Sequence, residues 1–336
     1  MTYKKKLGLI LGGIIIGVLI CNILQGNHHK EKNPFDVNML SNVNEGDIRH
    51  VKRDNQDEST EVIRNARIIA NKTDNGIVAV TLVNEAYLEM TYSWLCNTVN
   101  MNVHEQVLII ASEEMTLKKL RRDWPNVTSV FYTIETTDMT EQAKYVWKLF
   151  NRALLAHALL RNNVHILLFE VDAMWFSSPF PLLRSQFHYD LVGAQLSTRT
   201  RYIAPGFIFA RPTIASRDVF ECVKDNFLNG HYIAGDDNIS PDFNYQTYLH
   251  DVIVSHHNLR YKLLDSNIIE DGLWYLQLHT TGNSHGPPPV VLNNNWIIER
   301  DVKIATAKEF GHWFLDKTNS CDWKNVRKKT KQWSYR

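Results

Sequence analysis

The strongest constraint on this chain is an alternation. Between Gly76 and Val171 four short strand-like runs, three of them nearly unbroken apolar, are separated by three helix-like stretches. The runs are Gly76 to Val83 (GIVAVTLV), Gln106 to Ala111 (QVLIIA), Thr128 to Thr133 and His165 to Val171 (HILLFEV). All but Thr128 to Thr133 are rich in Val, Ile and Leu and show no polar alternation, the pattern of strands buried on both faces. The stretches between them are Glu85 to Val99, Glu113 to Arg122 and Met139 to Arg161. Strand, helix, strand in regular succession predicts an α/β fold around a mostly parallel sheet flanked by helices. Right-handed crossovers make its first half Rossmann-like. Further on, the spacing predicts a strand over Tyr202 to Ala210 and helices over Ser216 to Phe227, Asn244 to Val254 and Val302 to Gly311. Short strands are expected near Leu273 and Val290. There is no internal repeat and no Gly-rich phosphate loop.

The ends of the chain read differently. Leu7 to Leu24 is apolar apart from Cys21 and Asn22, and Lys4, Lys5 and Lys6 precede it. As a helix it is about 27 Å long, enough for a thin secretory-pathway membrane. The positive-inside tendency predicts a cytosolic tail at 1–6, a transmembrane signal-anchor at 7–24 and everything after it in the lumen. A cleaved signal peptide is the competing reading. Its apolar core is normally shorter, and no small-x-small site follows here. Residues 25–73, rich in charge, Asn and His, read as a flexible luminal stem. Residues 74–336 make one domain.

A luminal domain makes Asn71-Lys72-Thr73 and Asn126-Val127-Thr128 glycosylation acceptors. Asn238-Ile239-Ser240 also fits, but Pro241 follows it. Cys96, Cys222 and Cys321 then face an oxidising compartment and form at most one internal disulfide, leaving one thiol over; spacing does not say which pair forms, and Cys222–Cys321 is only a guess. Composition excludes other classes. Lys and Arg number 37 against 36 Asp and Glu, so no net field draws in nucleic acid. With 44% hydrophobic residues the chain is not disordered, and without a Cys-x-x-Cys pair it carries no zinc ribbon.

In open α/β sheets ligands bind off the carboxyl ends of the strands. Three acid-x-acid triplets occur, Glu45/Asp47, Glu170/Asp172 and Glu299/Asp301, and only the second ends an apolar strand. If the backbone there is still extended, Glu170 and Asp172 point to one side. Two such carboxylates can share Mn²⁺ or Mg²⁺, and the ion would neutralise a departing diphosphate. The plainer reading is a solvated or capping pair. On the preceding helix Lys144, Lys148 and Arg152 recur every four residues, forming either a diphosphate-binding stripe or a solvated face. Asn84 and Glu85 follow the first strand, placed to read a base or ribose or to cap a helix. His279 and His285, with Asn293 to Asn295, cluster late in the chain. The basic tail from Lys324 to Arg336 either attracts an acidic glycan or is a solvated tail.

Taken together, Asn84-Glu85-Ala86-Tyr87-Leu88, the block ILLFEVDAMWFSSPFP (Ile166 to Pro181), NNNWI (Asn293 to Ile297) and GHWFLD (Gly311 to Asp316) resemble the nucleotide-diphospho-sugar transferase family. That family includes plant xylosyltransferases acting on rhamnogalacturonan. The resemblance implies a GT-A fold, a UDP-sugar as donor, a glycan or glycoprotein as acceptor, a divalent cation (usually Mn²⁺) and retention at the anomeric carbon. Together with the N-terminal anchor, it leads to the expectation of a single-pass type II glycosyltransferase of the Golgi membrane. The family's Asp-x-Asp falls on Glu170 and Asp172. Asp172 is then the metal ligand, and Glu170 contacts the ribose, or the metal through water.

The departures are specific. The first acid is Glu. The usual Asn-Thr-Gly-Phe reads Ala204-Pro205-Gly206-Phe207. The Asp-Gln pair near the reacting carbon becomes Tyr245-Gln246, so Asp242, Asp237 or Asp236 would have to supply the carboxylate. The late family His falls on Asn293. Rival readings are a catalytically silent nucleotide-sugar or glycan-binding member, a metal-dependent phosphohydrolase on the same carboxylates, and a structural membrane protein.

Overall fold

The computed structural model describes residues 45–134, 141–197, 200–228, 233–234, 238–239, 245–275, 288–295 and 299–333. The expected tail and membrane anchor at 1–24 lie outside them, as do Asp236, Asp237, Asp242, His279 and His285. Among the described residues no helix is long and apolar enough to cross a membrane.

The alternation in the sequence becomes helix α1 (Glu45–Lys72), strand β1 (Ile77–Val83), helix α2 (Leu88–Thr98), β2 (Val107–Ala111), α3 (Glu114–Asp123), β3 (Thr128–Phe131), α4 (Glu141–Arg161) and β4 (His165–Phe169). A tight segment follows with β5 (Met174–Trp175) and α5 (Phe180–Ser185), then β6 (Leu191–Ser197), β7 (Thr200–Ala210) and α6 (Ile214–Leu228). The remaining elements are the pair β8 (Ile233–Ala234) and β9 (Asn238–Ile239), α7 (Tyr245–Ser255), β10 (Tyr261–Leu264), β11 (Ile269–Asp271), β12 (Val291–Asn293), α8 (Arg300–Glu309) and α9 (Trp323–Trp333).

The main sheet runs β10-β6-β7-β4-β1-β2-β3. It is parallel except for β7, which is antiparallel to both of its neighbours. Central β1 is held on both sides, Val80 facing Leu108 of β2 and Leu168 of β4. Successive side chains fill opposite faces. Ile77, Ala79, Leu167 and Phe169 join one apolar core with α2 and α3, while Val78, Val80, Ile166 and Leu168 join another with α1, α4, α6 and α7. A sheet covered on both faces is why its central strands read as unbroken apolar runs.

Two expectations about the flanks are corrected. The stretch read as a flexible stem up to Thr73 is helical from Glu45. Val62, Ala66 and Ile69, spaced along one face of it, are buried against the sheet. This apolar stripe is narrow and the rest of the helix is charged, so composition hides it. The basic tail is helix α9, with Val326 buried and the Asn325 amide donating to the carbonyls of Gly311 and Trp313 at 3.2 and 2.7 Å. The disulfide is also reassigned. Cys321 is bonded to Cys96, with Cα atoms 5.5 Å apart, rather than to Cys222. It ties the start of α9 to α2 across 225 residues of chain. Asn71 and Asn126 both stand exposed.

Beyond β4 the chain is locked in place. Trp175 is fully buried, its ring edge-on to Trp94 at 5.0 Å. The Asn97 side chain bonds its backbone twice, donating to the Trp175 carbonyl at 3.0 Å and accepting from its N–H at 3.1 Å. Glu170 and Asp172 are therefore held between a central strand and a fixed anchor.

Candidate functional site

The carboxyl ends of β1 and β4 open into a cleft of about 320 Å³. Of the residues singled out in the sequence, Asn84, Lys148, Arg152, Glu170, Asp172 and Gln246 all line it. They come from the loop after β1, from α4, from the turn after β4 and from α7. Pro205 and Gly206 of β7, Asn293 of β12, Tyr87 and Lys303 complete its polar wall.

Glu170 and Asp172 do not project from an extended strand. β4 ends at Phe169, and the backbone turns there, the N–H of Ala173 donating to the Glu170 carbonyl at 3.1 Å. The turn still delivers both carboxylates to the one cleft, and each meets a cation. Arg152, nearly buried, donates from Nη1 to Glu170 Oε1 at 3.2 Å. Lys303 of α8 is ion-paired with Asp172 Oδ2, both side chains at most a tenth exposed. Asp172 Oδ1 and Arg152 Nη2 are buried without a hydrogen-bond partner. Burial and the neighbouring Asp172 carboxylate push the Glu170 carboxyl above the ordinary range, against the pull of Arg152 and Lys303. Burial likewise raises the Tyr87 hydroxyl.

Gly206 decides the shape of the floor. A β-carbon there would lie 2.6 Å from the Glu170 Oε2 and 2.6 Å from both side-chain polar atoms of Asn293. Only glycine lets β7 pass this close to the carboxylate.

Other expected residues are placed elsewhere. Glu85 is not part of the cleft wall. It is ion-paired with Lys119 and accepts a hydrogen bond from Thr116 Oγ1 at 3.3 Å. Lys144 is likewise absent from the wall, so only Lys148 and Arg152 of the basic stripe reach the site. The expected catalytic Asp242 lies outside the described residues. Lys303 is the main residue that sequence reasoning missed. Its helix is legible, but Lys303 is buried while its neighbour Val302 is 45% exposed, the reverse of the usual pattern.

The donor set differs from what the Mn²⁺ or Mg²⁺ implied by the resemblance would need. Among the described residues no group of three or more His, Cys, Asp and Glu side chains is placed to hold a metal. Asn293, onto which the resemblance puts the family's late His, presents a neutral amide to the cleft. Asp172, the expected ligand, is already paired with an ammonium, and a metal entering there would strand a largely buried Lys303, a costly arrangement. Two cations already face two carboxylates. These residues do not make a fit for a divalent ion.

The profile of the nucleotide-diphospho-sugar transferase family matches residues 102–306. A beta-arabinofuranosyltransferase of Arabidopsis thaliana is 25% identical over 287 residues, which cover 74% of this chain and 49% of that protein. This chain thus spans about half the length of that relative. A UDP-D-xylose:L-fucose alpha-1,3-D-xylosyltransferase of the same plant is 22% identical over 262 residues, covering 72% of this chain and 71% of the relative. Among solved structures, the glycosyltransferase GlyE of Streptococcus pneumoniae gives a TM-score of 0.48 at 10% identity, over 76% of this chain and 63% of that one.

Proposed function

Since this chain belongs to the nucleotide-diphospho-sugar transferase family, we propose that it transfers a sugar from a UDP-sugar to a glycan or glycoprotein acceptor, with retention at the anomeric carbon. The observation that carries this reading is the convergence of Arg152, Lys303, Glu170 and Asp172 in one cleft at the carboxyl ends of β1 and β4. Fixed cations in a partly closed cleft suit a group that gains negative charge as it leaves.

The base and ribose lie toward Asn84 and Tyr87, at the end of β1. The diphosphate lies toward Arg152, with Lys148 beside it on the same helix face. Gln246 faces the sugar from α7. The bond between the anomeric carbon and the diphosphate oxygen breaks, and its electron pair goes to that oxygen. The acceptor hydroxyl bonds to the same carbon from the same face, and its proton passes to the departing oxygen. No protein base is required. Arg152 needs only to hold the charge that develops.

The domain works in the Golgi lumen, anchored by the apolar run at 7–24. Two observations support that placement. The acceptors Asn71 and Asn126 are exposed, and the Cys96–Cys321 disulfide suits an oxidising compartment. A second reading, a silent nucleotide-sugar binder, is favoured by the amide of Asn293 and the phenol of Tyr245 where the family carries His and Asp.

The test incubates the full-length chain with a panel of UDP- and GDP-sugars and follows both donor hydrolysis and transfer to glycan acceptors. One UDP-sugar should be consumed, with the product keeping the donor's anomeric configuration by NMR. Binding of UDP with neither hydrolysis nor transfer would establish the silent reading.

A further inference from the structure

We propose that Lys303 is a built-in substitute for the divalent cation: its ammonium, held by Asp172, binds the donor diphosphate directly, and the site takes its nucleotide without metal. This rests on the nucleotide-sugar reading above.

Three observations converge on it. First, Lys303 is buried although its helix neighbour Val302 faces solvent. Turning a charge inward costs desolvation, so the position is specified by a partner rather than by amphipathic pattern. That partner is Asp172, 131 residues away in sequence and the acid expected to hold a metal. Second, an ammonium carries three donor protons and Asp172 takes one of them. Lys303 lines the same cleft as Arg152, whose Nη2 is buried without a partner. A diphosphate lying between them meets an ammonium on one side and a guanidinium on the other. Third, the amide of Asn293, at the position of the family His, is neutral, and neither of its side-chain polar atoms has a partner. It brings no negative charge to replace the ammonium against Asp172, and its NH2 group can donate to a phosphate oxygen.

Asp172 is then a positioning residue. It keeps the Lys303 side chain extended into the cleft and its charge fixed before the donor arrives, as electrostatic preorganisation requires. The positive charge opposite the leaving oxygen is part of the chain and needs no assembly with the substrate.

Calorimetric titration of the full-length chain with UDP, in EDTA and in Mn²⁺, tests this. The wild type should bind with affinities within about twofold in the two buffers, a difference far smaller than one charged hydrogen bond. Lys303→Gln should bind about 10- to 100-fold more weakly in EDTA, the effect of losing one such bond, while Lys303→Arg keeps most of the affinity. Wild-type binding that appears only with Mn²⁺ overturns the proposal and leaves the transferase reading standing. So does a folded Lys303→Gln that binds UDP as tightly as the wild type in EDTA. Failure of UDP to bind in either buffer overturns the UDP-sugar reading and this proposal together.

Discussion

Arg152 donates from Nη1 to Glu170 Oε1 at 3.2 Å, joining the middle of α4 to the end of the strand beside it. The contact fixes both groups at the cleft wall, and the guanidinium keeps further donors for a ligand. Arg152→Ala should weaken UDP binding about 10- to 100-fold, the loss expected for one charged hydrogen bond. Arg152→Lys should restore only part of it, because a lysine lacks the planar fork that serves the carboxylate and a phosphate together. Calorimetry on the two variants reads both outcomes.

Gly206 is the tightest point of the site. The alanine methyl in Gly206→Ala would meet Glu170 and Asn293 at 2.6 Å, so the carboxylate must move or the strand must shift. Thermal or urea unfolding should show a loss of about 1–3 kcal/mol, the usual cost of overpacking. Because the displaced carboxylate is the one that Arg152 holds, turnover should fall by about 100-fold even in the folded fraction. A variant with wild-type turnover would remove Glu170 from the account.

Acid should destabilise the domain, and His312 should be a measurable part of that. It is buried among Phe176, Trp274 and Tyr275, with its Nδ1 and the Tyr275 hydroxyl hydrogen-bonded at 3.1 Å. Burial, helped by Lys329, pushes its pKa down to about 3. An unfolded histidine gains a proton near pH 6.5, whereas this one stays neutral until about pH 3. Between those values the unfolded state binds more protons, so stability falls as pH drops and is intact above pH 6.5. By pH 5 the cost is about 2 kcal/mol. His104, His157, His165, His250 and His256 are pushed down as well, so the total fall is steeper. The diagnostic is the difference between unfolding curves at pH 7 and pH 5. It should shrink in His312→Gln.

Where the folded domain begins is also testable. Val62, Ala66 and Ile69 of α1 are buried in the core beneath β1. A chain starting at Asp74 lacks these side chains and should lose on the order of 4 kcal/mol of stability, the worth of burying two β-branched residues and an alanine. A chain starting at Glu45 should melt like the full-length protein. Equal melting temperatures for the two truncations would mean that α1 does not belong to the domain.

Residues buried on both sides were the legible ones. The runs that became β1, β2 and β4 carry their environment in their composition, and the cleft follows because such sheets bind at their carboxyl ends. Strand β6 is not legible in the sequence, because Gly193, Gln195 and Ser197 interrupt its apolar pattern. The short β10 escaped too, with Tyr261 and Lys262 partly open to solvent on the sheet edge. The Cys96–Cys321 pairing depends on where α9 docks, which spacing cannot supply. Lys303 illustrates the general limit. Local pattern places a lysine in α8 outward, and only its distant partner Asp172 turns it inward.

A crystal structure of the chain with UDP bound tests the central claim most directly. The account predicts UDP in the cleft at the ends of β1 and β4, its base toward Asn84 and Tyr87 and its phosphate oxygens within hydrogen-bond reach of Arg152. UDP bound at another surface, or a nucleotide in the cleft with its diphosphate turned away from Arg152, would contradict it.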